Sequence, residues 1–245
     1  MIKGTILIIG AKSEVAKAIA YHFASLGYSL QLACRESTSL INRKNDLEIR
    51  FGINVNLIEF DINSYASQND LIANIPKIPE IAICLVGVLG NQKEIEQDEK
   101  LAQNVIRTNF EGPALILGKL ANEFEKRKSG IIIGISSVAG DRGRRSNYLY
   151  GSSKAALTCF LSGLRNRLFN KNIRVITIIP GYIKSNMTLG MSLPKYITAE
   201  PEEIAVSIEK AIIKDIDVIY IKSIWKYIML LIKIIPEKIF KRLNI

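Results

Sequence analysis

Tyr150 and Lys154 are the residues whose types and spacing most directly suggest chemistry; Gly151, Ser152 and Ser153 lie between them. On a helix, positions i and i+4 share one face, a turn apart. A free phenol ionises near pH ~10 and is a poor proton carrier at neutral pH. A neighbouring ammonium favours the phenolate and lowers that pKa, so the pair is a workable acid–base device. Ser137 stands 13 residues before Tyr150, after the apolar run that ends in Ile135. That places it at the carboxyl end of a strand, where open α/β sheets bind ligands. Its hydroxyl can hydrogen-bond a substrate carbonyl oxygen.

A second group of residues suits a phosphate. Gly10 ends an apolar run and Ser13 opens a helical pattern, with Lys12 between them and Val15 just inside. A tight turn into a helix N-terminus aims backbone N–H groups and the positive dipole end at one spot, which fits a pyrophosphate. Only the first glycine of a Gly-rich loop is present, since Glu14 and Ala16 stand where further glycines would ease close approach. A routine strand–helix turn is therefore the competing reading. The second strand ends in Ala33, Cys34 and Arg35, with no acid at its tip. A basic residue there accommodates a 2′-phosphate, and an arginine can grip it in forked geometry. Arg35, assisted by Lys12, thus predicts NADP(H) over NAD(H). Asp61, just past the third strand, suits the adenine edge.

These residues need a scaffold, and the chain alternates accordingly. Apolar, β-branched runs recur at 5–9, 29–34, 54–60, 81–86, 130–136, 174–179 and 217–221. Several are nearly continuous, as in strands covered on both faces. Helical patterns fill 13–26, 97–127, 149–169 and 201–214. Alternating strands and helices predict βαβ units and a parallel sheet. The expected fold is an α/β, Rossmann-like doubly wound sheet of about seven parallel strands with helices on both faces. Residues 1–222 read as one nucleotide-binding domain, and residues 223–245 as its basic amphipathic tail. Residues 184–199, with Met187, Met191 and Pro194, break the alternation and read as a substrate loop or a plain surface excursion.

Composition narrows the function classes. With 245 residues, 48% hydrophobic and 23% charged, the chain is not disordered or fibrous. The formal charge of +10 invites nucleic acid, an anionic membrane or a phosphorylated ligand. The basic residues are dispersed, with no recognition-helix or aromatic stacking pattern, so no nucleic acid partner is expected. Three cysteines, Cys34, Cys84 and Cys159, fit a reducing compartment. His22 is the only histidine; it reads as structural, and no metal site is expected. The first ten residues read as a strand rather than a signal peptide. The apolar tract 224–235 is about 12 residues with two lysines inside it, too short and charged to span a bilayer. A cytoplasmic protein is expected. The tail, with Trp225 and Phe240 among Lys226, Lys233, Lys238, Lys241 and Arg242, has the pattern of an interfacial anchor, and equally of a helix packed on a partner subunit.

The order of the Gly10 turn, Asn109, Ser137, Tyr150, Lys154 and Pro180-Gly181 resembles the short-chain dehydrogenase/reductase family over residues 3–221. The resemblance implies a nicotinamide-dependent oxidoreductase reducing a ketone to a secondary alcohol. Tyr150 would protonate the carbonyl oxygen as hydride arrives. Lys154 would hold the nicotinamide ribose and lower the tyrosine pKa, Ser137 would orient the carbonyl, and Asn109 would anchor a water in a proton relay. Pro180, Gly181 and Ile183 would border the nicotinamide, and Val15, Ile62 and Gly87 would join the cofactor-binding set. The family's Asn-Asn-Ala-Gly after the fourth strand is Cys84, Leu85, Val86 and Gly87 here. That departure and the reduced glycine loop resemble the branch containing decaprenyl-phosphoryl 2-keto-ribose reductase, as do residues 87–90 and 141–150. A phosphorylated or lipid-linked keto-sugar is the substrate this implies. Arg142, Arg144 and Arg145, between Ser137 and Tyr150, would meet its phosphate, or else form a solvated loop or a subunit contact. The alternatives are a general carbonyl or acyl reductase on soluble substrates, and a catalytically idle nucleotide-binding scaffold. The family habit implies a homodimer or homotetramer through helices 97–127 and 149–169.

Overall fold

The computed structural model describes residues 3–190 and 192–243. The chain runs β1 (Thr5–Ile9), α1 (Glu14–Ser25), β2 (Ser29–Cys34), α2 (Ile41–Phe51), β3 (Val55–Glu59), α3 (Tyr65–Asn74) and β4 (Ile81–Cys84). It continues through α4 (Gln92–Ile95), α5 (Glu99–Ile106), α6 (Gly112–Arg127), β5 (Gly130–Ile135), α7 (Tyr148–Leu168) and β6 (Ile173–Pro180). It ends with β7 (Tyr182–Ile183), β8 (Thr198–Ala199), α8 (Pro201–Ile213), β9 (Val218–Ile221), α9 (Ile224–Ile234) and α10 (Glu237–Phe240).

Seven strands form one sheet in the order β3-β2-β1-β4-β5-β6-β9, every pair parallel. This is the expected doubly wound sheet, and the seven apolar runs are its seven strands. Side chains of β1 alternate between two cores, as the two-residue period of a strand requires. Ile6 and Ile8 pack with Ile19 and Phe23 of α1 and Ile204 and Ile208 of α8. Leu7 and Ile9 pack on the other face with Leu117 and Phe124 of α6 and Leu161 of α7. His22 takes the structural role expected of it: its Nε2 lies 2.8 Å from Glu209 Oε2, tying α1 to α8.

Two expected elements differ. The helical pattern 97–127 is divided: α5 and α6 are joined by a wider π turn over Arg107–Glu111. Pro113, in the first turn of α6, has no N–H to offer the carbonyl four residues back, so a regular α ladder cannot pass through. The π turn carries Asn109. Residues 184–199 are built from two short 3₁₀ turns and β8, which pairs with β7 beside the main sheet. Met191 lies outside the described residues. Helices α2 and α3, absent from the sequence expectation, cover the β2–β3 end.

The tail packs onto the domain rather than standing apart. Trp225 and Met229 of α9 are buried against Val138 and Ile179.

Candidate active site

The sheet order reverses between β1 and β4, and a crevice opens beyond their carboxyl ends, where such sheets bind ligands. It is a cavity of about 650 Å³, within the usual size for small-molecule sites. Ser13, Val15, Gly87, Ser137, Tyr150, Lys154, Pro180, Gly181, Ile183 and Arg144, all singled out in the sequence, line it. Gly10, Lys12, Arg35, Asp61, Ile62, Asn109, Arg142 and Arg145 do not.

At one end, Gly10 adopts φ +95°, a conformation that glycine reaches without strain, and a Cβ on it would stand 3.0 Å from Val86. Ser13 caps α1, its Oγ accepting from Ala16 N at 3.1 Å. The first-turn amides of Glu14 and Val15 have no helical acceptor, and both residues line the cleft. At the tip of β2, Arg35 is exposed, while Lys12 pairs with Glu36 at 2.6 Å. Lys12 is thus paired with a neighbouring acid, and Arg35 is the exposed cation beside it. Asp61 and Ile62 follow β3: Asp61 Oδ1 accepts from Asn63 N at 2.9 Å, and the Ile62 carbonyl accepts from Gln68 at 2.8 Å.

The chemical floor is held more tightly. Ser136 fastens α7 to β5: its Oγ donates to the Lys154 carbonyl at 3.0 Å and lies 2.6 Å from Thr158 Oγ1. Lys154 is only 4% exposed. Its Nζ donates to the Ile135 carbonyl at 3.2 Å and sits 5.8 Å from the centre of the Tyr150 ring. Burial pushes its pKa down to about 8. Tyr150 is shifted the other way from the sequence expectation. Burial raises its pKa, with hydrogen bonding to Ser137 and the charge of Arg144 acting in opposition. Desolvation disfavours the phenolate more than its neighbours favour it, so the resting side chain is the neutral acid.

Asn109 is held firmly by the loop after β4. Its side chain is fully buried, with Nδ2 donating to the carbonyls of Val88 and Val105 at 2.7 and 2.8 Å and Oδ1 accepting from Val88 N at 3.2 Å. Both donor hydrogens go to backbone, so the side chain clamps the loop after β4 and stays out of the cleft. Gly87 is the point of closest approach: a Cβ there would lie 2.9 Å from Asn109 Oδ1 and 3.2 Å from Lys154 Nζ. Glycine at this position leaves room for both side chains, which any Cβ would crowd.

The three arginines between Ser137 and Tyr150 separate. Arg142 does not face the cleft. Its Nη1 donates to the carbonyls of Ile232 and Ile235 at 2.6 and 2.7 Å, its Nη2 meets Glu237 at 3.0 Å, and it lies 3.7 Å over the Phe240 ring. It satisfies the carbonyls that end α9 and is a structural clasp, not a substrate contact. Arg145 is exposed away from the cavity; Arg144 alone lines it.

Among the further lining residues are Gln92 and Asn147, from the segments 91–99 and 141–149 that the sequence places around the substrate pocket, and Trp225, from outside them. Trp225 arrives from the tail, its Nε1 donating to the Ile197 carbonyl at 2.8 Å and its indole edge-on to Tyr182. The indole rests against Gly181, where a Cβ would collide with it.

The Gly10 cradle, the α1 amides and the wall of Pro180, Gly181 and Ile183 fit a dinucleotide. The amides would hold its pyrophosphate, and the wall its nicotinamide half.

Comparison with known proteins agrees with this architecture. A curated oxidoreductase of Mycobacterium tuberculosis, itself uncharacterized, is 29% identical over 243 residues, covering 97% of this chain and 96% of its own. Among solved structures, the bulky-bulky ketone specific alcohol dehydrogenase from Comamonas testosteroni superposes with a TM-score of 0.81 at 19% identity, covering 97% of this chain and 96% of its own. A short-chain dehydrogenase from Sphingobium yanoikuyae in complex with NADPH superposes with a TM-score of 0.78 at 20% identity, covering 95% of this chain and 96% of its own. The short chain dehydrogenase family model matches residues 4–193, and with the site geometry above it places this chain in the short-chain dehydrogenase/reductase family of NAD(P)-dependent oxidoreductases.

Proposed function

We propose that the chain is an NADP(H)-dependent ketoreductase that interconverts a ketone and a secondary alcohol, with Tyr150 as the acid/base group. The observation that carries this reading is the convergence of Ser137, Tyr150 and Lys154 on one cleft whose other end is the α1 N-terminus. The nicotinamide cofactor supplies the hydride. Ser137 donates a hydrogen bond to the substrate carbonyl and fixes its oxygen near the phenol. Tyr150, kept neutral by burial, releases its proton to that oxygen as the carbon is reduced. Lys154 offers positive potential and further N–H donors beneath the ring. A neutral phenol at rest supports the reductive direction, in which the tyrosine is the acid.

Tyr150→Phe removes the acidic proton and little else. Turnover of ketones with NADPH should fall by about 10²–10⁴-fold, with NADPH affinity nearly unchanged; unchanged turnover would overturn the mechanism. The preference for NADP(H) is supported by Arg35 at the tip of β2 with no acid at that position. NADPH should bind more tightly than NADH, and Arg35→Ala should bring the two together.

The resemblance to the keto-ribose reductase branch makes a lipid-linked keto-sugar the first substrate class to assay, with soluble ketones the second. For the tail, α9 buries Trp225 and Met229 but exposes Tyr227, Leu230, Leu231 and Ile234, with Lys226 and Lys233 on the same helix. That face suits peripheral contact with an anionic membrane. Co-sedimentation with phosphatidylglycerol vesicles, absent with neutral vesicles, is the expected result. Self-association is supported by the exposed Leu101 and Ile106 on α5, Leu115 on α6 and Phe169 just after α7, and light scattering should give a dimer or tetramer.

A further inference from the structure

We infer that Gln92, Arg144 and Asn147 form an anion-binding subsite at the substrate end of the cleft, selecting ketones that carry a phosphate ester or carboxylate. The inference rests on the ketoreductase reading and names the substrate class of that site. Buried polar groups in folded proteins are nearly always hydrogen-bonded, and those left over ask for a partner. Among the described residues, three left-over atoms belong to side chains that line this cavity together: Gln92 Nε2, Arg144 Nε and Asn147 Oδ1.

Their arrangement is a built one. Gln92 is 7% exposed, and its Oε1 accepts from Leu149 N at 3.2 Å. That bond fixes the amide and caps the first turn of α7 from α4. Asn147 holds the N-cap position of α7 yet makes no capping bond with its side chain, a task that asparagine there ordinarily performs. Its oxygen is left without a partner inside the cleft wall. A turn bond from Asn147 N to the Arg144 carbonyl, 3.1 Å, sets the two side chains on one short bend just before Tyr150. Arg142, two residues earlier, spends its guanidinium on the tail, whereas Arg144 keeps Nε unpaired within the cavity wall. A small rotation of the side chains out of the wall would let an anionic oxygen accept from Arg144 and Gln92 and a hydroxyl beside it donate to Asn147, and the positive end of α7 would add to the attraction. The apolar wall of Leu89, Met187 and Trp225 would take the carbon skeleton.

The test uses protein saturated with NADPH, so that the nucleotide's own phosphates are already seated. Glycerol 3-phosphate, 3-hydroxybutyrate and neutral glycerol are titrated calorimetrically against wild type, Arg144→Ala, Arg144→Lys and Gln92→Glu. Wild type should bind at least one anion and not glycerol, and the tighter anion identifies phosphate ester or carboxylate as the source. Arg144→Ala should weaken that binding by about 10–100-fold, the scale of a hydrogen bond to a charged group, and Arg144→Lys should restore part of it. Gln92→Glu retains the acceptor for Leu149 N while turning the free donor into a repelling oxygen, so it should weaken binding with an unchanged unfolding midpoint. In parallel, the ratio of kcat/KM for dihydroxyacetone phosphate over dihydroxyacetone, and for acetoacetate over butanone, should fall in Arg144→Ala. Absence of anion binding in wild type, or binding unaffected by either substitution, overturns the subsite. Turnover of neutral ketones without anion binding removes the subsite alone. Arg144-dependent anion binding without turnover of any ketone removes the ketoreductase reading and leaves the subsite standing.

Discussion

The two halves of the cleft are built in opposite ways. On the inner floor, around Gly87, Asn109, Ser136 and Lys154, polar side chains are spent on the protein's own backbone and on one another. On the outer wall, around Gln92, Arg144 and Asn147, buried polar atoms are left without partners. A satisfied network rigidifies, which suits groups that must hold a reacting carbonyl and a hydride donor in register. An unsatisfied one costs stability until a ligand completes it, which suits recognition. On the reading proposed above, the floor would carry the reaction and the wall the choice among substrates.

Perturbing the floor should cost the most. Beyond Tyr150→Phe, Gly87→Ala would press a methyl against Asn109 Oδ1 and Lys154 Nζ. A shift of about an ångström there should lower kcat by about 100-fold, measured with saturating NADPH. Next comes the join between floor and tail. Trp225→Ala empties a buried site and should destabilise the protein by about 3 kcal/mol in denaturant unfolding, while loosening residues 184–199 to proteolysis. The paired arginines sharpen the comparison directly. Arg142→Ala strips several carbonyls of a charged donor and should cost about 1–3 kcal/mol. Arg144→Ala should cost no more than about 0.5 kcal/mol, because it gives up no bond inside the protein; equal losses would erase the distinction.

The floor also responds to pH. Lys154 has a folded pKa of about 8, below its unfolded value near ~10.4. Between these values the unfolded chain binds more protons, so this group makes stability rise with pH across that window. Below about 8 its charged, buried form is a standing cost. In Lys154→Met the rise should vanish, seen by comparing unfolding midpoints of both proteins at several pH values. The smallest effect is chemical labelling: Cys159 is exposed while Cys34 and Cys84 are buried, and burial pushes the Cys84 thiol up to about 11. A thiol reagent should modify Cys159 rapidly and the other two only on unfolding.

Much of this was legible in the chain. Strand and helix periods depend on nearest neighbours, so the seven strands and the helices at 13–26, 149–169 and 201–214 could be read directly. The spacing of Ser137, Tyr150 and Lys154 is likewise local, since one strand end and one helix position all three. The direction of the Tyr150 shift was not legible, because burial, not the lysine one turn away, decides it. Nor was the division of helix 97–127, although Pro113 was its signal.

What the sequence by itself determined is the alternating pattern, the doubly wound sheet and the placing of Tyr150 and Lys154 one helical turn apart, because each follows from periodicity within a few residues. What only the tertiary structure decided is which polar atoms are used up. Arg142 and Arg144 are the same residue two positions apart. One reaches the carbonyl end of a helix that begins 82 residues further on, and the other remains unpaired in the cleft. Asn109 likewise spends its amide on Val88, and Gln92 caps α7 from α4. Hydrogen-bond satisfaction is settled by long-range packing, so no local pattern could have divided the working residues from the structural ones.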